Sequence, residues 1–208
     1  MKMLIRTEVK EFFFDSHCHL DFIYKKYSCG GIDSWLKSEP GIMHEKFIGC
    51  IPNFIEPNLF VENLDPAQYD MDWILQQLQS KYVLGASYGC HPHYGDAFDD
   101  RILEKLQYLV ENRRMSKLLA IGECGLDYMK RVECYTAQLA LARKKDVPLV
   151  IHCRSGPRGP GDAEKMCLSA MEEAGLSRFH NIHRHCFTEN WDTAQKWMES
   201  YDNVYFGT

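Results

Sequence analysis

The stretch Phe12-Phe13-Phe14-Asp15-Ser16-His17-Cys18-His19-Leu20 ends an apolar run with two imidazoles, and its reading decides the fold. Read as a buried first strand, it sends successive side chains to opposite faces, so Asp15, His17 and His19 share one face and Ser16, Cys18 and Leu20 the other. Two imidazoles two residues apart can grip one cation. A lone His-x-His also suits a half-exposed strand whose polar residues face water. Recurrence of the same pattern downstream favours the ligand reading.

Working outward, short apolar runs alternate with amphipathic segments. After a polar, aromatic-rich insert (21–46), strands are predicted over Phe47 to Phe54, Tyr82 to Cys90, Leu118 to Cys124, Pro148 to Arg154 and Asn181 to Phe187, with a seventh starting at Asn203. Helical spacing joins Met71, Ile74, Leu75 and Leu78; Ile102, Leu106, Leu109 and Val110; Val132, Tyr135, Leu139 and Ala142; Met166, Cys167, Ala170 and Met171; and Trp191, Ala194, Trp197, Met198 and Tyr201. Near-continuous apolar strands alternating with helices imply a parallel sheet covered by helices. Asp15, His17, His19, His91, Glu123, His152, His183 and His185 fall near the C-terminal ends of different strands, and a barrel gathers those ends at one mouth. The chain is therefore read as one α/β domain of the TIM (β/α)8 type. No strand is followed by Gly-x-Gly-x-x-Gly, which disfavours a dinucleotide fold.

Composition bounds the function. A chain of 208 residues, 45% hydrophobic, can bury a sizeable core. Its net charge of −5 disfavours a broad basic surface for nucleic acid, so a polyanionic substrate must be held locally. Nine cysteines without a Cys-x-x-Cys pair read as reduced thiols, which implies an intracellular protein of the cytoplasm or nucleus. Met1 to Lys10 carries Lys2, Arg6, Glu8 and Lys10 and is not expected to be a secretory leader. No run is long enough to cross a membrane.

Three strand ends carry the chemistry. Glu123 ends an apolar strand that should be buried, and a buried charge needs a partner: an arginine, a helix terminus or a cation. His152 is placed likewise in Leu-Val-Ile-His-Cys-Arg, with Arg154 on the same face. His183 and His185 share a face, so either can join a shared ligand field.

Asp15-Ser-His-Cys-His-Leu-Asp21, Gly89-Cys-His-Pro-His93, Ile121-Gly-Glu-Cys-Gly-Leu-Asp-Tyr128, His152-Cys-Arg154 and His185-Cys-Phe-Thr188, in this order, resemble the TatD family of metal-dependent deoxyribonucleases, amidohydrolase-like barrels. The resemblance implies that His17, His19, Glu123, His152 and His185 bind two divalent ions of Mg, Mn or Zn, with Glu123 bridging, and that Glu123, His152 and His185 serve catalysis. It prefers His185 to His183. It also implies that His91 and His93 lie near the substrate phosphate, and that DNA is hydrolysed, from the 3′ end, with RNA as an extension. Arg154, Arg158 and Arg184 are further candidates for phosphate contacts, and Tyr24, Lys25, Lys26, Tyr27 and Trp35 for a stacking and charge platform. Asp127 is expected either to orient a ligand or to cap a helix.

Family members continue into an eighth strand whose Asp binds metal and acts as base, and the sequence here stops inside the seventh. The expectation is a barrel truncated after the start of strand seven, with impaired catalysis and a tendency to self-associate through unpaired edge strands. Two other readings use the same residues: an amidohydrolase cleaving a C–N bond in a small molecule, and a non-catalytic binder of metal and nucleic acid.

Overall fold

A computed structural model describes residues 12–28, 30–38, 46–128, 132–156 and 162–207. The N-terminal stretch read as lacking a leader, and Arg158, lie outside them. Seven parallel strands stand in sequence order: β1 Phe13–Cys18, β2 Phe47–Phe54, β3 Ala86–Tyr88, β4 Leu118–Asp127, β5 Leu149–Arg154, β6 Ile182–Arg184 and β7 Val204–Phe206. Sequential parallel order with helical crossovers curls the sheet toward a barrel, and among the described residues it is an open one, since β1 pairs with β2 and β7 with β6 but not with each other.

The crossovers are α1 Leu20–Tyr27 and α2 Ile32–Ser38, α3 Pro57–Phe60 and α4 Met71–Leu78, α5 Asp100–Glu111 and α6 Arg113–Ser116, α7 Val132–Lys145, α8 Asp162–Glu173 and α9 Trp191–Ser200. Helix α5 shows why they form. Asp99 caps it by accepting from the N–H groups of Arg101 and Ile102, and Ile102, Leu106, Leu109 and Val110 bury one stripe against the sheet. Asp70 and Asn190 cap α4 and α9 in the same way. The apolar cluster runs continuously from β2 through β6 beneath α4 to α8. The eight described cysteines are all free.

Three expectations need correction, and one is filled in. The first strand is not buried: among the described residues β1 has a strand neighbour on one side only, and Phe13 and Phe14 are half exposed. The third and sixth strands shrink to three residues each, Ala86–Tyr88 and Ile182–Arg184, while the fourth extends to Asp127. The insert holds two helices, in which Tyr24 packs on Trp73 with ring centroids 5.0 Å apart. Trp191 and Val132 face solvent although helical spacing placed them on buried stripes, because each stands at the first residue of its helix, where the stripe has not reached the sheet.

Candidate metal centre

Glu123 occupies a bulge. The β4–β5 register slips between Gly122, opposite Val150, and Cys124, opposite Ile151, so Glu123 is the extra residue and its side chain turns into the barrel mouth. Glycines on both sides make this possible. Gly122 and Gly125 have φ of 139° and 147°, and a Cβ on either would fall 2.2 Å from the Val150 carbonyl oxygen and 1.8 Å from that of His152. The spacing Gly-Glu-x-Gly thus lets β4 press against β5 while a carboxylate is ejected inward.

Four histidines close on that carboxylate. Oε1 lies 2.8 Å from His17 Nε2 and 3.0 Å from His19 Nε2; Oε2 lies 2.8 Å from His185 Nε2 and 3.6 Å from His152 Nδ1. The rings of His17 and His185 stack at 4.3 Å, and His152 Nδ1 stands 3.2 Å from His185 Nε2. His17 comes from the end of β1, His19 from the residue before α1, His152 from β5, and His185 from the residue after β6. His183, one turn of the alternation earlier, is half buried behind His17 at 5.7 Å between ring centroids.

Protonation is constrained by the surroundings. Burial pushes the Glu123 carboxyl up, but hydrogen bonds from His152, His17, His185 and His19 outweigh it and hold the group well below the carboxylate range. Burial lowers His19 while Glu123 raises it, with a net rise. Burial pushes His185 down to about 4. Burial, reinforced by the neighbouring His152, pushes His91 down to about 3. The Nδ1–H of His19 donates to the Asn53 carbonyl at 3.1 Å, so its neutral form turns a bare Nε2 lone pair onto a carboxylate oxygen. Two lone pairs at 3.0 Å repel unless a proton or a cation stands between them. His17, His19 and Glu123 form one group whose donor atoms lie within 4.8 Å of one another, and His91, Glu123 and His152 form another. Nitrogen and carboxylate donors at this spacing fit divalent transition ions.

The remaining candidates sort by place. His91 Nδ1 accepts the His93 backbone N–H at 3.1 Å, which leaves Nε2–H as a donor, 3.9 Å from Glu123 Oε2. That tautomer suits an anion better than a metal ion. His93 is exposed, and its Nε2 lies 2.6 Å from Oδ2 of Asp127, which is buried at the end of β4 and also 3.5 Å from His152 Nε2. Both approaches miss the hydrogen-bonding direction, so the Asp127 oxygens have no hydrogen-bond partner among the described residues. Arg154 is exposed at the end of β5. Arg184 is not available to a phosphate, because it is buried on the opposite face of β6 against Glu164. Of the insert residues, Lys25 pairs with Glu56 at 3.2 Å, Trp35 is half buried, and Lys26 and Tyr27 remain exposed.

Asn53 escaped sequence reasoning. It is the second-last residue of β2, its carbonyl fixes His19, and its side-chain oxygen accepts from Ser87 Oγ. A polar residue near the end of the apolar run Phe-Ile-Gly-Cys-Ile-Pro-Asn-Phe was the available signal.

Residues 14–208 match the family described as TatD related DNase. The chain belongs to that family. Among its similar proteins, the human 3′-5′ RNA nuclease TATDN2 is 28% identical over 99% of this chain and 26% of its own length. The 3′-5′ ssDNA/RNA exonuclease TatD of Yersinia pseudotuberculosis serotype O:3 (strain YPIII) is 32% identical over 50% of this chain and 38% of its own. The chain thus spans about a quarter of the first relative and under two-fifths of the second. Among solved structures, the TatD homologue YJJV of Escherichia coli k12 superposes with a TM-score of 0.66 at 21% identity, covering 93% of this chain and 66% of that one. A D-hydantoinase superposes with a TM-score of 0.57 at 12% identity, over 93% of this chain and 45% of that one. Both likenesses concern the fold alone. The run Gly122-Glu-Cys-Gly125 is the bulge that carries Glu123, and His17, His19, His152 and His185 at or beside other strand ends supply the four imidazoles around it.

Proposed function

We propose that the chain is the metal-dependent catalytic scaffold of a nuclease that hydrolyses phosphodiester bonds in DNA or RNA from the 3′ end. The observation that carries the reading is Glu123 ringed by His17, His19, His152 and His185, each within 3.6 Å, in a chain of the TatD family. The nucleases named among its relatives support the substrate class.

His17, His19 and Glu123 would hold one divalent ion, and Glu123, His152 and His185 a second, with Mg, Mn and Zn as the candidates. Bound ions supply Lewis acidity and a water acidic enough to attack phosphorus near neutral pH. The protein's own groups do the rest. His91 presents an Nε2–H to a non-bridging phosphate oxygen, and its depressed basicity keeps the ring neutral so that Nδ1 goes on accepting from His93. Exposed His93 and Arg154 line the approach of the phosphate chain. Asp127, whose oxygens lack hydrogen-bond partners among the described residues, has Oδ2 3.5 Å from His152 Nε2, on the side of the ring away from the Nδ1 that faces Glu123, and would orient that ring.

No described helix is long and apolar enough to cross a membrane. Free, mostly buried cysteines favour a reducing intracellular compartment. Among the described residues β1 and β7 each lack a strand on their outer side, and Phe14 and Tyr205 are exposed there, which favours association of two copies at high concentration. Light scattering over a concentration series reads that directly.

The test of function uses 5′-labelled single-stranded DNA and RNA of one sequence, with Mn²⁺, against Glu123→Gln. A ladder shortening from the 3′ end, absent with the variant, supports the reading. A chain that binds Mn²⁺ and leaves both strands intact refutes it.

A further inference from the structure

We propose that Arg184, held by Glu164, is a positioning residue that clamps the backbone beside His152 and His185 and so sets the metal affinity of the centre. The proposal rests on the metal-centre reading above. It starts from the shortness of β6. Three residues of ladder join β5 to β6, ending at Ile151 opposite Arg184, and the last backbone bond runs from His185 N–H to the Ile151 carbonyl at 3.3 Å. Directly afterwards Cys186 takes a left-handed φ of 47°, which turns the chain away from β5. His152 and His185 therefore sit where strand pairing gives out.

Alternation along β6 points His183 and His185 into the barrel and Arg184 out, beneath α8 and α9. There its guanidinium replaces the missing ladder. Nη2 donates to the Cys153 carbonyl at 2.6 Å and Nη1 to the His185 carbonyl at 2.5 Å. The first carbonyl follows His152 by one residue; the second belongs to His185 itself. Glu164 of α8 holds the fork, with Oε1 accepting from Nη2 at 2.5 Å and Oε2 from Nε at 3.3 Å. Trp197 of α9 donates its indole N–H to Glu164 Oε2 at 2.8 Å. Arg184, Glu164 and Trp197 are all fully buried. Arg184 makes four hydrogen bonds from donors fixed in one plane, whereas an ammonium has three donors on a flexible stem and holds no such plane. A buried ion pair is weak evidence of stabilisation, since desolvation offsets its attraction. What singles this one out is where its spare donors go: onto the two strands that carry His152 and His185.

Groups that orient metal ligands from behind commonly change affinity by about 10- to 100-fold when altered. The experiment measures Mn²⁺ binding by calorimetry for the metal-free 208-residue chain, Arg184→Lys, Glu164→Gln and Leu109→Ala, the last a buried position on α5 remote from the clamp. The imidazole ¹⁵N resonances of His152 and His185 are recorded for each without metal. Arg184→Lys should weaken Mn²⁺ at least tenfold and move both resonances, and Glu164→Gln should act in the same direction. Leu109→Ala should lower the melting temperature while leaving both readouts in place. Wild-type affinity and unmoved resonances in a folded Arg184→Lys overturn the clamp, and so does an equal loss of affinity in Leu109→Ala. If Arg184→Lys does not fold, Glu164→Gln is read by the same two criteria. If the unaltered chain binds no Mn²⁺, the metal-centre reading falls, and the ¹⁵N comparison still decides the clamp.

Discussion

His19 faces Glu123 with Nε2 3.0 Å from Oε1, while the Asn53 carbonyl takes the proton of its other ring nitrogen. A backbone acceptor that selects the tautomer leaves a lone pair aimed at an anion, an arrangement that costs free energy until something positive occupies the gap. His17, His152 and His185 crowd the same carboxylate.

The first prediction concerns metal content. Neutral imidazoles are required for ligation, so occupancy should fall with pH in stages: His19, raised by Glu123, takes up its proton first, above the free-histidine value of about 6.5, and His185, held down to about 4 by burial, last. Mass spectrometry of dialysed protein across that range measures it. Unchanged occupancy in a double variant, His17→Ala with His19→Ala, would place the metal elsewhere.

Substitution of His91 separates phosphate contact from ligation. With Nδ1 accepting from His93 N–H, its Nε2–H is a donor, so His91→Ala should leave metal content intact and slow cleavage by about 10²-fold, the usual scale for one lost electrostatic contact in the transition state. Loss of metal in this variant would show that His91 is a ligand.

Gly125 should tolerate no side chain. A Cβ there meets the His152 carbonyl oxygen at 1.8 Å with φ at 147°, whereas one at Gly175, with φ of 68°, meets only the end of Arg143 at 3.3 Å. Urea denaturation should show Gly125→Ala destabilised by about 3 kcal/mol or more and Gly175→Ala by about 1 kcal/mol. Equal midpoints for the two variants would contradict the close strand contact.

Acid should destabilise the metal-free chain in part through His180. It is buried with its Nε2–H donating to the Val147 carbonyl at 2.9 Å; burial lowers its pKa, only partly offset by that carbonyl and by Asp146. The unfolded chain therefore binds the proton more readily. The contribution is complete above about 6.5, the unfolded value, and is lost as pH falls below it. His91 and His185, also lowered by burial, act with the same sign, and His19, raised by Glu123, with the opposite one. Melting temperatures from pH 7.5 to 5 should fall, and His180→Gln should fall less steeply. Parallel curves would exclude His180 as a contributor.

The alternation of apolar runs with helical stripes was legible because burial writes its period into the residues: Ile102, Leu106, Leu109 and Val110 occupy the face that spacing assigns them. The stripe failed at Trp191 and Val132, since period alone does not say where a helix first meets its sheet. Strand lengths failed likewise. Whether Ile182 to Phe187 pairs throughout or stops at Arg184 depends on the left-handed turn at Cys186, a conformation not visible in an apolar run.

By itself the sequence determined that imidazoles and a carboxylate stand at the C-terminal ends of several parallel strands, because residue type and strand position are both local properties. Only the tertiary structure decided how they face one another. The bulge that ejects Glu123 arises from the contact of β4 with β5, the tautomer of His19 from a carbonyl 34 residues away, and the burial of Arg184 from helices that pack behind the sheet. Each is a relation between segments distant in sequence, and hydrogen-bond direction and desolvation act only once those segments have been brought together.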